Sequence, residues 1–311
     1  MKVLVLGVTG MLGHSVFEGL SSNDTLDVWG TMRNPLGMAY FPEEWCEKLI
    51  PNIDVLDNDM LISVIHKCLP DVVINAVGVI KHVTNTNDPL LTLPINAMLP
   101  HRLAKICGLA NARLIHISTD CVFSGRKGMY REEDVSDAED LYGKSKYIGE
   151  VDNMPHVLTL RTSIIGHELN SHRSLLDWFL SQRGRVHGYT KWIFSGLPTV
   201  EFSRVISDYV LPYPEIHGLY HLSVDPIDKC SLLQLVADVY QKEIEIVPNS
   251  DIVINRSLES SKFRLVSGYQ PPSWRNLIQD LRQQWTRRLN SALWVKRGLK
   301  DKRGEMTRDF E

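Results

Sequence analysis

Lys2 to Leu6 is an unbroken apolar run that ends in G-V-T-G-M-L-G, and the residues from there to Leu20 carry helical spacing. A strand that is apolar at every position belongs in a parallel sheet covered by helices on both faces. A glycine-rich turn between such a strand and a helix lets the backbone come close to a pyrophosphate, with the helix N-terminus pointing at it. The spacing is G-x-x-G-x-x-G rather than G-x-G-x-x-G, and a glycine triplet by itself fits any tight strand-helix turn. At the first strand of the chain it predicts dinucleotide binding, with Gly7, Thr9, Gly10, Met11, Leu12 and Gly13 as the cofactor turn.

A second strand runs from Leu26 to Thr31, and Arg33 follows it with no acidic residue at the strand end. An acid there would hold the ribose 2′-hydroxyl of NAD, whereas an arginine accommodates the 2′-phosphate of NADP. Arg33 therefore points to NADP(H), with NAD(H) as the alternative and a solvated loop arginine as the plain reading. The segment I-P-N-I-D-V-L-D makes a third strand edge where Asp54 and Val55 flank an adenine, and Asn58 to Lys67 is an amphipathic helix. Asp71 to Asn75 is a fourth strand, and the loop A-V-G-V-I-K-H leaves its C-terminal end, where ligands bind in open α/β sheets. Lys81 and His82 are expected to face a substrate there, or to be solvated. Helical spacing from Asp88 to Ala110, interrupted by Pro94 and Pro100, leads to a fifth strand at Arg113. Strands alternating with helices and no internal repeat predict a right-handed, doubly wound parallel sheet, Rossmann-like in class.

The fifth strand opens the stretch that carries chemistry. It reads R-L-I-H-I-S-T-D-C-V-F-S-G, and after a polar segment comes D-L-Y-G-K-S-K-Y-I-G-E, a helix that places Tyr142 and Lys146 one turn apart on one face. A phenol above an ammonium, facing the strand-end hydroxyls of Ser118 and Thr119, is a proton-transfer arrangement. Tyr-x-x-x-Lys also arises by chance on amphipathic helices, so the hydroxyl strand and the glycine turn give it weight. Beyond it lie a strand from His156 to Gly166, a helix around Ser174 to Gln182, an aromatic patch (Tyr189, Trp192, Phe194), a helix to about Val210, the short strand G-L-Y-H-L-S, and a helix from Lys229 to Gln241. A strand at Ile244 to Val247 and a last helix from Trp274 to about Asn290 complete the pattern. Residues 1–166 are expected to form the dinucleotide-binding domain, completed by about 196–225; 167–195 and 226–290 form a smaller, substrate-binding C-terminal domain, and 291–311 a solvated tail.

The net charge of −3 gives no reason to expect nucleic acid or an anionic membrane as partner. No apolar run reaches the ~18 residues of a spanning helix, and Met1 leads directly into a strand, so a cytoplasmic location is expected. The five cysteines (46, 68, 107, 121 and 230) are scattered and never form C-x-x-C, which suggests neither disulfides nor a metal site.

With the glycine turn, the S-T-D strand end and the Y-G-K-S-K helix together, the chain resembles an extended short-chain dehydrogenase/reductase. Within that superfamily it is similar to the dTDP-4-dehydrorhamnose reductase group of nucleotide-sugar reductases, over roughly residues 1–288. I-S-T-D-C-V-F-S-G, D-L-Y-G-K-S-K-Y-I-G-E, L-R-T-S, S-G-L-P-T and G-L-Y-H-L-S carry the resemblance. It implies that Thr119 binds the carbonyl, Tyr142 donates the proton and Lys146 binds the ribose. Asp54, Val55, Asn75, Ala76 and Val77 then line the adenosine and ribose. It also implies a nucleotide-sugar substrate, with a homodimer left open. Cys121 stands where the group has an aromatic after S-T-D, and Ile164 stands where it has Trp after R-T-S. Both positions face the sugar in that group, so the rhamnose precursor is the default substrate and an N-acetylated UDP-sugar the close second. Arg256 is the candidate for the diphosphate. A nucleotide-sugar dehydratase or epimerase on the same fold is the enzymatic alternative, although dehydratases of this kind carry Glu where Cys121 stands. A non-catalytic NADP-sensing protein is the other. An ammonium beside a phenol favours the phenolate, so Lys146 is expected to lower the Tyr142 pKa from about 10.

Overall fold

The computed structural model describes residues 1–80 and 87–290; Lys81, His82 and the tail from 291 lie outside the described residues. The first unit is β1 (Lys2–Leu6), α1 (Met11–Ser21) and β2 (Asp27–Thr31). The irregular stretch after β2 forms two short 3₁₀ turns, Pro35–Tyr40 and Glu43–Lys48, before β3 (Leu49–Ile50). β3 is only two residues long, so Asp54 and Val55 sit in the turn beyond it. α2 (Asn58–Cys68) starts at Asp57, whose carboxylate accepts the N–H groups of Asp59 and Met60 at 2.9 and 3.1 Å. That cap satisfies two of the donors every helix start leaves unpaired. β4 (Val72–Asn75) follows, then α3 (Pro89–Leu93) and α4 (Leu99–Leu109), joined by a π turn over Pro94–Met98. Pro94 lacks an N–H and its ring crowds the preceding turn, and the wider π turn absorbs the conflict without ending the helix.

β5 (Arg113–Thr119), α5 (Leu141–Ile148) and β6 (Val157–Thr162) come next. Then follow β7 (Ile164–Ile165), α6 (Leu175–Ser181), β8 (Arg185–Tyr189), β9 (Trp192–Phe194), β10 (Leu197–Pro198) and α7 (Thr199–Val205), which continues as a π turn to Val210. The chain closes with β11 (Gly218–His221), β12 (Ile227–Asp228), α8 (Lys229–Tyr240), β13 (Glu245–Asn249), β14 (Ile254–Asn255), α9 (Ser261–Ser267) and α10 (Trp274–Asn290).

The main sheet has the order β11-β6-β5-β4-β1-β2-β3, and every pairing in it is parallel. The chain leaves β1 toward β2 and β3, then crosses back to β4 and runs outward the other way. The reversal between β1 and β4 opens a crevice at the C-terminal strand ends, the place where such sheets bind ligands. Side chains alternate across the sheet with period two. Val3, Val5, Ile74, Ile115 and Leu158 pack on one face with Phe17, Leu20, Phe202 and Val205 of α1 and α7. Leu4, Leu6, Val73, Leu114 and Val157 pack on the other with Leu61, Val64 and Leu103 of α2 and α4. Each fully buried Val, Leu or Phe contributes about 1.5–3 kcal/mol. Two-sided burial is why these strands read as unbroken apolar runs.

A separate core joins Leu176 and Phe179 of α6, Leu232, Leu233 and Val236 of α8, and Ile278 and Leu281 of α10. Small sheets edge it, β12-β9-β14 and β13-β8. The aromatic patch of the sequence thus becomes strand, with Tyr189 at the end of β8 and Trp192 and Phe194 in β9. Segments of two or three residues are too short to show a period, and β9, β12 and β14 were not expected from the sequence. Among the described residues no helix is long and apolar enough to cross a membrane.

Candidate active site

The glycine turn caps β1. Gly7 has φ +85°, and a Cβ there would lie 2.8 Å from the Val77 side chain, so glycine is required by conformation and by space. Gly7 and Val8 donate to the Thr31 carbonyl at 3.1 and 3.0 Å, which locks the turn to β2. Gly10 is the N-cap of α1 and makes no side-chain capping bond; a Cβ added there would meet only the Gly7 carbonyl, at 3.5 Å. The first turn of α1 contains Met11, Leu12 and Gly13, whose N–H groups are among those a helix start leaves without an intrahelical partner. An anion is favoured at that spot by both the free donors and the helix dipole. Thr9 lies half-buried in the same turn.

Neighbouring strand ends supply the rest of the cofactor crevice. Arg33 is exposed two residues past β2. Asp54 accepts from the Leu56 N–H at 2.9 Å, and Ile53 donates to the Met32 carbonyl at 3.1 Å, which holds the Asp54–Val55 turn next to Arg33. At the end of β4, Asn75 is buried, accepts from the Val77 N–H and reaches His116 Nδ1, both at 3.2 Å. Ala76 donates to the Leu6 carbonyl at 3.2 Å, which sets the β4 exit against β1.

Thr119, Tyr142 and Lys146 meet at the end of β5. Thr119 is buried and caps the 3₁₀ turn that follows, its hydroxyl accepting from the Cys121 N–H at 3.1 Å. The same hydroxyl is a hydrogen-bond partner of the Tyr142 phenol. Helix α5 is capped by Asp140, which accepts the Gly143 N–H at 2.8 Å. A Cβ on Gly143 would fall 2.2 Å from the Cys121 carbonyl, so only glycine lets the helix press Tyr142 onto the Thr119–Cys121 loop. Burial raises the Tyr142 pKa above the ordinary phenol range, and the nearby Cys121 and Asp120 push the same way. The lowering expected from Lys146 does not appear. The Lys146 ammonium instead donates to the Ile117 carbonyl at 2.6 Å, and its own burial brings its pKa down to about 8. Desolvation is the largest influence on the phenol, and it disfavours the charged phenolate.

A charged network lies under this pair. Glu150 accepts from Ser118 Oγ at 2.6 Å and from Arg161 Nε and Nη2 at 2.8 Å each. Arg161 Nη1 then donates to His221 Nε2 at 3.2 Å, and His221 Nδ1 donates to the Tyr130 carbonyl at 3.0 Å. Burial, then the Arg161 charge, brings His221 down to about 3, so its imidazole is neutral. The network ties α5, β5, β6 and β11 together behind the site, and it gives a physical role to Y-I-G-E, L-R-T-S and G-L-Y-H. Asn96 does a similar job from the π turn. It accepts from the Val79 N–H at 2.9 Å and donates to the Val79 carbonyl at 3.0 Å and to Ser145 Oγ at 3.2 Å. An amide inside an apolar helical stretch was the only sequence sign of that grip between the β4 loop and α5.

On the substrate side, Cys121 is half-buried directly after Thr119 and Asp120. Arg256 Nε donates to the Phe123 carbonyl at 2.8 Å, which brings this distant arginine to the same loop. Ile164 lies in β7 and packs against the core that covers the α1 face. Among the described residues no group of three His, Cys, Asp or Glu side chains is placed to hold a metal.

A family model described as RmlD substrate binding domain matches residues 1–286. The chain belongs to that family. It is 25% identical to the dTDP-4-dehydrorhamnose reductase of Aggregatibacter actinomycetemcomitans, covering 90% of this chain and 98% of that protein. It is also 32% identical to the methionine adenosyltransferase 2 subunit beta of Danio rerio, over 90% of this chain and 89% of that one. In structure it superposes on the Bacillus anthracis dTDP-4-dehydrorhamnose reductase, solved in complex with NADP, with a TM-score of 0.74 at 20% identity, covering 91% of this chain and 99% of the other. The doubly wound, all-parallel seven-stranded sheet is the shared fold.

Proposed function

We propose that the chain is an NADPH-dependent reductase acting on the 4-keto group of a nucleotide-linked deoxy sugar. The observation that carries this is the Tyr142 phenol beside the Thr119 hydroxyl, with Lys146 one turn below and the glycine turn at the same edge of the sheet. NADPH, when bound, supplies the hydride; the chain supplies position, a proton and charge. Tyr142 gives its proton to the oxygen as negative charge develops there. Thr119 donates a second hydrogen bond to that oxygen, a contact whose loss in comparable sites costs about 10²–10³ in rate. Lys146 holds the ribose hydroxyls of the cofactor and keeps a positive charge under the phenol. The regions 167–195 and 226–290 hold the sugar nucleotide.

Cys121 and Ile164 are smaller than the aromatics the group carries at these positions. The default substrate is dTDP-4-dehydrorhamnose, and an N-acetylated UDP-4-keto sugar is the second choice because its substituent uses that room. NADPH oxidation across a panel of nucleotide-linked 4-keto sugars tests the proposal, and the ratio of kcat/KM for these two sets the preference. Reduction of a free sugar or steroid ketone with neither of them reduced would overturn the substrate class. The second reading is a non-catalytic NADP-sensing protein, and the chain's similarity to a protein named as a subunit of another enzyme keeps it open. Complete inactivity over the panel, with tight NADPH binding, would select it.

Arg33 is the residue assigned to cofactor choice. Its guanidinium is exposed where the 2′-phosphate of NADP is read, and a charge-assisted contact there contributes about 1.5–3 kcal/mol. Arg33→Ala is expected to weaken NADPH by about tenfold or more and to leave NADH nearly unchanged. Titration of both cofactors checks this, and equal weakening of the two would return Arg33 to a solvated loop.

A further inference from the structure

Beyond the main sheet, β9 pairs with β12 on one side (Ile227 with Phe194, Asp228 with Ile193) and with β14 on the other (Ile254 with Trp192, Asn255 with Ile193). This register brings Lys229, the residue after β12, alongside Trp192, and it places Arg256 just past β14. The Lys229 ammonium sits 3.3 Å from the centroid of the Trp192 ring. The small sheet is pinned to the loop after Thr119, because Asn255 donates to the Gly125 carbonyl at 2.7 Å and Arg256 to the Phe123 carbonyl at 2.8 Å. Asp120 and Cys121 act electrostatically on both the Tyr142 phenol and the Lys229 ammonium, and Arg256 acts on Lys229. Asp120 and Cys121 are thus close enough to act on both the phenol and Lys229.

Two like charges held together repel, and half-burial adds a desolvation cost. Burial brings Lys229 down to about 8; Asp120 opposes it and Arg256 adds to it. The aromatic face under the ammonium offsets only part of that cost. A ligand with two negative charges would relieve both, because each phosphate oxygen accepts charge-assisted hydrogen bonds from Lys and Arg.

We propose that Lys229, backed by the Trp192 ring, joins Arg256 in binding the diphosphate of the substrate. This rests on the nucleotide-sugar reading above and adds to it a cation that no motif marks. It also sets the direction of the ligand, with the keto sugar against Thr119 and Tyr142 and the nucleotide leading away past Cys121.

Lys229→Met keeps the stem over Trp192 and removes the charge. Calorimetric titration of dTDP and of UDP into the NADP-loaded full-length protein is the test. The variant is expected to bind the nucleoside diphosphate at least about tenfold more weakly, with KM for the keto sugar nucleotide raised, kcat nearly kept and NADPH affinity unchanged. Lys229→Arg restores most of the affinity, and Arg256→Met weakens it in the same direction. Wild-type diphosphate affinity in Lys229→Met would overturn the site, as would a parallel loss of NADPH binding. A wild-type protein that binds NADPH and neither dTDP nor UDP would overturn the nucleotide-sugar reading itself.

Discussion

Tyr142→Phe lowers turnover by about a hundredfold or more and leaves NADPH binding intact. The ring keeps its packing against the Thr119–Cys121 loop, since Gly143 still lets α5 approach the Cys121 carbonyl. Lys146 keeps its bond to the Ile117 carbonyl. What is lost is the transferable proton, which a phenol carries at neutral pH. Thr119 remains as a hydrogen-bond donor to the reacting oxygen, so residual activity above the uncatalysed rate is expected. Single-turnover NADPH oxidation separates this chemical loss from any change in binding. A near wild-type rate would remove Tyr142 from the role of acid.

The second large effect is on stability in mild acid. His14, His116 and His221 are buried, and burial is the first cause holding each imidazole neutral; His14 and His221 are brought down to about 3 and His116 well below its usual value. The unfolded chain takes up a proton at each of these as pH falls through about 6.5, while the fold does not. Stability therefore falls with pH in the window between about 6.5 and 3, the sign required when the unfolded state binds more protons. Between pH 7 and 5 the loss is about 2 kcal/mol each for His14 and His221, with His116 adding in the same direction. A total of about 4 kcal/mol is a large share of a typical domain stability of about 5–15 kcal/mol. Urea unfolding midpoints at pH 7, 6 and 5 measure it. A flat midpoint across that range would mean that these imidazoles do not stay neutral in the fold.

Sequence alone determined the parts that local pattern controls. β1 spans the apolar run Lys2 to Leu6 that the sequence shows, and the glycine turn was legible because Gly7 answers a demand of the backbone itself. Tyr142 and Lys146 were legible as a pair because one helical turn fixes their spacing, while Thr119 followed from its place at a strand end and from the family resemblance. Tertiary structure decided what depends on non-local contact. Neither the strand register that sets Lys229 on Trp192 nor the Glu150–Arg161–His221 network leaves a periodic trace, since each joins residues far apart in the chain. The sign of the Tyr142 shift belongs to the same class. Spacing showed an ammonium one turn away, but whether that cation or desolvation prevails depends on how much protein surrounds the phenol, and only the assembled fold sets that.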